Sequence, residues 1–350
     1  MNLKHLFLAA ALVVCTAAPA AFAATQAMAA TPKVVLNVAI GDPESAEMGV
    51  VGNSFKEYLE QAADGAVEVR LFYGSVLGED EAVQFHKVQT GKLEMAIGGV
   101  SNLAPMCPKI SILTLPYLFE TPVEALQGTS GKAFEILDGY AREAGLRILA
   151  WTYSDFRFIT NSKRPITRIE DIRGLRFRVP HSIVQLQTYR AFGAIPSALP
   201  WGLTYKALEQ DLVDGQDCSY PMLRGMRFMD AGQKYLTEIH YTFLLQPLVI
   251  GEKLFSKLSE DLREKIIEAG RHAQHQSFMY LEQMHEVARH DLMAKGLIVS
   301  KLADEEKWKA RALQVVWPDV ADLLGGVEAI NAYLRACVLP EWENAIPGLQ

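Results

Sequence analysis

Gly174-Leu175-Arg176-Phe177-Arg178-Val179-Pro180 sets an apolar series against a cationic one in strict alternation. That period of two is the pattern of a half-buried strand, with Leu175, Phe177 and Val179 on one face and both guanidinium groups on the other. Pro180 cannot extend a ladder, so the strand stops there and Arg178 stands at its carboxyl end, the end at which open α/β sheets bind ligands. Upstream, Thr167-x-x-Glu170 reads as a capping box opening a short helix that Gly174 closes.

Outward from this strand the chain reads as α/β. Val34–Ile40, Val67–Phe72 and Met95–Ile97 are strand-like, separated by helical spacing over 46–63 and 79–90. This βαβαβ order predicts a largely parallel sheet covered by helices. Pro105, Pro108 and Pro116 break the following segment. Then come a helical stretch over 122–144, a strand over 147–151, helices over 183–191 and 201–209, and an apolar strand over 243–250. The longest element begins at Ser259, a good N-cap with Glu260 and Asp261 in the first turn. Its apolar stripe runs to about Lys295, with Gly296 as the stop. At about 1.5 Å per residue it is a rod of roughly 50 Å, longer than one lobe needs. Two or three more helices and a polar tail follow.

The amino terminus reads as a targeting segment. Lys4 precedes an apolar run, Leu6–Val14, and small-x-small sites precede Ala24 and Ala30. The apolar run is about half the roughly 20 residues a membrane span needs. Removing Lys4 takes the net charge from −7 to −8, which argues against nucleic acid or an anionic membrane as partner. A local arginine cluster can still bind a small anion. Cys107, Cys218 and Cys337 remain, an odd and widely spaced set that makes neither a disulfide framework nor a zinc pattern.

Several motifs fail on inspection. Gly128-Thr-Ser-Gly131-Lys132 has neither the spacing nor the preceding strand of a phosphate loop. His285 and His290, five residues apart, point about 140° from each other on a helix and cannot share an ion. No nucleophile elbow or Cys–His pairing occurs, so no assembled catalytic constellation is visible and the chain is not expected to be an enzyme. Arg157 lies in Asp155-Phe-Arg-Phe-Ile-Thr160, again directly after a strand. Two arginines at the ends of separate strands can converge on one carboxylate, which the planar guanidinium fork suits; a surface salt bridge is the plainer reading of either one.

From about 35 to 340 the chain resembles the solute-binding proteins of tripartite ATP-independent periplasmic (TRAP) transporters, of the DctP type. The resemblance is carried by stretches in family order. They are Leu71–Leu77 leading to Gly78-Glu79; Val88-Gln89-x-Gly91-x-Leu93-x-Met95; and Leu115-Pro116-Tyr117-Leu118-Phe119. Phe156-Arg157, Thr160-Asn161, Ile172-x-Gly174 through Pro180, Gly193-Ala194-x-Pro196, Tyr205-x-Ala207-Leu208 and Val213-Asp214-Gly215-Gln216 follow.

The resemblance implies a periplasmic binding protein fold of two α/β lobes, joined by crossing hinge strands and bridged by a long helix. The corresponding division is a signal peptide at 1–29, a first lobe of 31–154 with 245–283, a second of 155–244 with 284–340, and a tail at 341–350. It implies periplasmic localisation, capture of a small-molecule carboxylate and delivery to TRAP membrane permease subunits, as monomer or homodimer. Arg178 takes the position of the family's carboxylate-gripping arginine and Arg157 that of a second, supporting one. Asp217, Cys218, Trp201 and Tyr220 stand at cleft positions but depart from the family pattern, which puts the rest of the pocket in doubt. No cofactor is expected; a ligand-bridging metal ion held through Asp217 is the one option the resemblance leaves. Gly99 stands where sialic-acid binders carry an acid, so sialic acid is not expected. Trp201 and Tyr220 suggest a ligand with an apolar or aromatic body. A binding protein for a sensory receptor would share these features, and an exported carboxylate-processing enzyme is the more distant alternative.

Overall fold

The computed structural model describes residues 34–78 and 80–345. The expected signal peptide lies outside the described residues, as do Glu79 and the end of the tail. Among the described residues eleven strands form two sheets. In chain order they are β1 Val34–Ile40, β2 Val67–Phe72, β3 Met95–Ile97, β4 Leu146–Phe156, β5 Phe158–Asn161 and β6 Arg176–Val179. Then come β7 Ile195–Ala198, β8 Gly215–Cys218, β9 Tyr235–Glu238, β10 Phe243–Gly251 and β11 Ile298–Lys301. The first sheet runs β2-β1-β3-β10-β4 and the second β11-β9-β5-β8-β6-β7. This is the two-lobe α/β architecture.

The first sheet is less parallel than the βαβαβ order predicted. β1 pairs in parallel with β2 and β3, but β10 enters antiparallel between β3 and β4. The reason is topological: β4 and β10 are the two strands by which the chain crosses between lobes. β4 ends at Phe156 and β5 begins at Phe158 in the other sheet, with Arg157 alone between them. The return crossing runs from β9 to β10, and the two are tied where the Arg157 amide donates to the Thr242 carbonyl at 2.9 Å.

The long helix spans Glu260–Ala294, 35 residues, with Ser259 capping Leu262. It packs on the helix Glu47–Ala62, on β4, and on the helix Tyr220–Gly225 of the second lobe. β4 is the outer strand of its sheet, and an uncovered edge exposes unpaired backbone groups. Gln274 and Ser277 cover it, accepting from the amides of Trp151 at 3.0 Å and Tyr153 at 2.8 Å. Gly270 makes the approach possible, since a Cβ there would lie 2.3 Å from the Leu149 carbonyl oxygen.

Three local expectations change. The helical stretch 122–144 is two helices, Pro122–Gly128 and Gly131–Glu143. The carboxylate that closes the turn before β6 is Asp171, not Glu170; it accepts from the amides of Thr167 and Arg168. The expected second lobe included everything from 284 to 340, yet the helix Val327–Ala336 packs on Gly131–Glu143, beside the first sheet. Its Tyr333 hydroxyl donates to the Gly128 carbonyl at 2.7 Å. Part of the tail is docked too, because the Trp342 amide donates to Asn331.

Candidate functional site

A cleft lies between the carboxyl ends of the two sheets. β6 and β8 are adjacent and parallel, and β5 runs antiparallel beside β8. This sets Arg178 near the end of β6 and Arg157 just before β5 against one narrow cavity between the lobes. Met48, Glu81, Gly99, Ser101 and Asn102 line it from the first lobe, with Leu244 and Gln246 of β10; Pro180, Trp201 and Met222 line it from the second.

Arg176 and Arg178 leave the same face of β6, as the alternation predicts, but their surroundings differ. Arg176 is half-exposed and paired with Asp214 at 2.7 Å. Arg178 is 1% exposed. Its Nε donates to the Leu199 carbonyl at 3.0 Å, its Nη2 is buried without a partner, and no described carboxylate lies within 4.0 Å of it. Burial and then the nearby Arg157 charge pull its pKa down to about 10, so it remains a cation at neutral pH. An unpaired buried charge costs several kcal/mol, and an incoming anion relieves that cost.

Arg157 is the contrasting case. Its Nη2 donates to both the carboxylate and the carbonyl of Asp217, and Asp217 also accepts from the hydroxyls of Tyr189, at 3.0 Å, and Tyr241. Burial works against the charged form of Arg157, but the Asp217 carboxylate overcomes it and holds the guanidinium above its ordinary pKa. Burial likewise raises Asp217, and the Arg157 charge with these hydrogen bonds brings it below the usual carboxylate range. Asp217 therefore sits behind Arg157 as its counterion and does not line the cavity. Both of its oxygens are engaged by protein donors, so the residues around Asp217 do not fit a ligand-bridging metal ion.

The other expected site residues divide. Trp201 lines the cavity, with the Arg178 guanidinium 5.4 Å from its ring centre. It also reaches across the cleft: its Nε1 donates to Asp42, on the loop after β1, at 3.0 Å. Cys218 is wholly buried, with its thiol pushed by burial up to about 12, and it does not line the cavity. Tyr220 turns away as well; its hydroxyl donates to Glu238 at 2.8 Å and its ring leans on Phe158. Among the described residues all three cysteines are free and buried.

Sequence reasoning passed over three buried acids of the first lobe, of which Glu81 lines the cavity. Asp42, Glu47 and Glu81 are each at most 2% exposed. Burial raises all three, and Asp42, which also feels Glu47 and Glu81, is raised well above the usual range. Glu47 accepts from Ser154 of β4 and from Ser219 of the second lobe. The pairs Asp42–Trp201 and Glu47–Ser219 thus join the two lobes. Gln246 was also missed, although a polar residue inside the apolar run Phe243–Ile250 was a usable signal.

A family model described as "Bacterial extracellular solute-binding protein, family 7" (DctP) matches residues 40–322. The 2,3-diketo-L-gulonate-binding periplasmic protein YiaO of Escherichia coli K12 is 26% identical over 224 residues, 64% of this chain and 68% of that protein. A TRAP periplasmic solute-binding protein from Polaromonas, solved bound to D-erythronate, superposes with a TM-score of 0.80 at 26% identity. That match covers 86% of this chain and 98% of the other. Another from Roseobacter denitrificans, with bound L-galactonate, gives 0.78 at 25% identity, covering 84% and 98%. These relatives are solute-binding proteins, not enzymes.

Proposed function

The chain belongs to the bacterial extracellular solute-binding protein family 7, the DctP family, and from that premise we propose that it is the periplasmic subunit of a TRAP transporter that captures a sugar-acid-like carboxylate. Arg178 is the principal contact for the carboxylate and Arg157 a supporting one, positioned by Asp217. The loaded protein delivers its ligand to membrane permease subunits. A cleavable signal peptide ending before Ala24 or Ala30 exports it.

The observation that carries this reading is the buried, unpartnered Nη2 of Arg178 facing the cavity between the lobes. Hydrogen bonds to charged groups contribute roughly 1.5–3 kcal/mol each, whereas a micromolar complex needs about 8 kcal/mol. Two arginine contacts leave a deficit, which closure around the body of the ligand makes up. Trp201–Asp42 and Ser219–Glu47 supply contacts of this kind, since each joins the lobes. Binding then shifts the equilibrium towards the closed form by its differential affinity. The relatives bound to D-erythronate and L-galactonate support a hydroxylated acid over the apolar or aromatic body suggested by Trp201 and Tyr220.

A thermal-shift screen of the mature protein against sugar acids, simple monocarboxylates and dicarboxylates tests the proposal. A ligand present at about 100 times its Kd stabilises by roughly 2.7 kcal/mol, which raises the melting temperature clearly. A screen in which no carboxylate shifts the transition contradicts it.

A further inference from the structure

Beyond the arginines, the cavity has a second end with its own chemistry. We infer that Glu81 is a specificity-determining residue, accepting a hydrogen bond from a ligand hydroxyl and repelling a second carboxylate. The protein therefore selects hydroxylated monocarboxylates over both their deoxy and their dicarboxylate counterparts. This rests on the carboxylate reading of Arg178.

Glu81 opens the helix Glu81–Gln89, just after the N-cap Asp80. Its carboxyl is held at one oxygen only: Oε2 accepts from the Gly99 amide at 2.8 Å and from Asn102 Nδ2 at 2.6 Å. Oε1 is buried and has no partner, in a residue 2% exposed that lines the same cavity as Arg178. Glycines make room for the group. A Cβ on Gly41 would fall 1.9 Å from Glu81 Oε1, and one on Gly98 would fall 3.0 Å from Oε2. The position is thus fixed by backbone, and the free oxygen cannot swing away to find solvent.

The unpartnered atoms sort by kind. At the arginine end they are donors, Arg178 Nη2 and Arg157 Nε. At the Glu81 end they are acceptors: Glu81 Oε1 and Asn102 Oδ1. The Asn102 assignment follows from its amide nitrogen donating to Glu81, which leaves its oxygen facing outward as an acceptor. A ligand that satisfies both ends carries acceptors on one side and donors on the other. A monocarboxylate with hydroxyls along its chain does this. A deoxy acid leaves buried acceptors unpaired. A dicarboxylate brings a negative acceptor against these acceptors, and an acceptor so juxtaposed to acceptors is rejected.

Calorimetric titration of the mature protein with matched acids tests this. D-erythronate and L-galactonate are the hydroxylated probes, butyrate and hexanoate their deoxy counterparts, and meso-tartrate and galactarate their dicarboxylate counterparts. The better hydroxylated probe is expected to bind at least about 100-fold tighter than both of its counterparts, as in sites built to pair a substrate hydroxyl. Glu81→Ala should weaken that probe by more than about tenfold while leaving the deoxy acid unchanged, a split that general misfolding would not give. Glu81→Gln, which fits the same cradle without the charge, should narrow the dicarboxylate gap by about tenfold or more. Wild type binding a deoxy acid or dicarboxylate within about threefold of the hydroxylated probe would overturn the inference, and so would an unaffected Glu81→Ala. If none of the six acids binds wild type, the carboxylate reading falls first and takes this inference with it.

Discussion

Arg157, just before β5, and Arg178, near the end of β6, stand on either side of β8, both almost fully buried, and both border one cavity. Arg157 is embedded: Asp217 takes its charge, and Tyr189 and Tyr241 hold Asp217 in turn. Arg178 has a carbonyl on one nitrogen, a Trp201 ring beside it and, among the described residues, no carboxylate within 4.0 Å. One guanidinium is completed by the protein and the other waits for something outside it. A buried pair and a buried lone charge respond oppositely to mutation, so the comparison can be broken experimentally.

The largest expected effect comes from Asp217→Ala. It strands Arg157 and should destabilise the protein by about 3–5 kcal/mol, read by urea denaturation; a loss near zero would mean the pair is not structural. Because Asp217 titrates below its unfolded value, its contribution is present above about pH 4 and fades as pH falls further. Next is Arg178→Met, where the sign reverses. Unfolded arginine keeps its proton through about pH 12, whereas folded Arg178 loses it near 10. The folded state thus carries the full cost of the charge at neutral pH, and that cost is relieved only as pH rises through about 10. Removing the charge should leave the ligand-free protein as stable or raise it by about 1–4 kcal/mol.

Trp201→Phe keeps a ring near Arg178 but removes the donor to Asp42. Losing one hydrogen bond across the cleft should weaken ligand binding about five- to tenfold with little change in unliganded stability; unchanged affinity would remove Trp201 from the closure contacts. The smallest effect belongs to the hinge. His285 of the long helix pairs with Asp155 at the β4 crossing, and that hydrogen bond raises its pKa although burial opposes it. A raised histidine stabilises fully below about pH 6.5 and loses that contribution as pH climbs through the folded value. His285→Gln should therefore lower the melting temperature at pH 5.5 more than at pH 8.5, and equal losses would remove the coupling.

What the sequence disclosed follows from how local each signal is. The strands around 34–97 and the rod from Ser259 rest on periodicity within a single element, and they appear where the pattern puts them. Arg178 was legible for the same reason, as one member of an alternation ending at proline. The role of Asp217 was not, because its partners lie 24 to 60 residues away. Glu81 was hidden in plain composition: an acid at a helix start reads as a complement to the macrodipole. Only in three dimensions does it pack against Gly41, Gly98 and Gly99 and line a cavity. Tyr220 was misjudged by proximity in sequence, since the short helix it begins points its hydroxyl to Glu238.

The central claim is that Arg178 is the anion anchor held open by the fold. Calorimetric titration of Arg178→Met beside wild type, with whichever of D-erythronate or L-galactonate wild type binds, tests it most directly. The account predicts at least about a 100-fold loss of affinity, of the order of two charge-assisted hydrogen bonds, in a protein that melts no lower than wild type. Affinity within about threefold of wild type in that folded variant would contradict it.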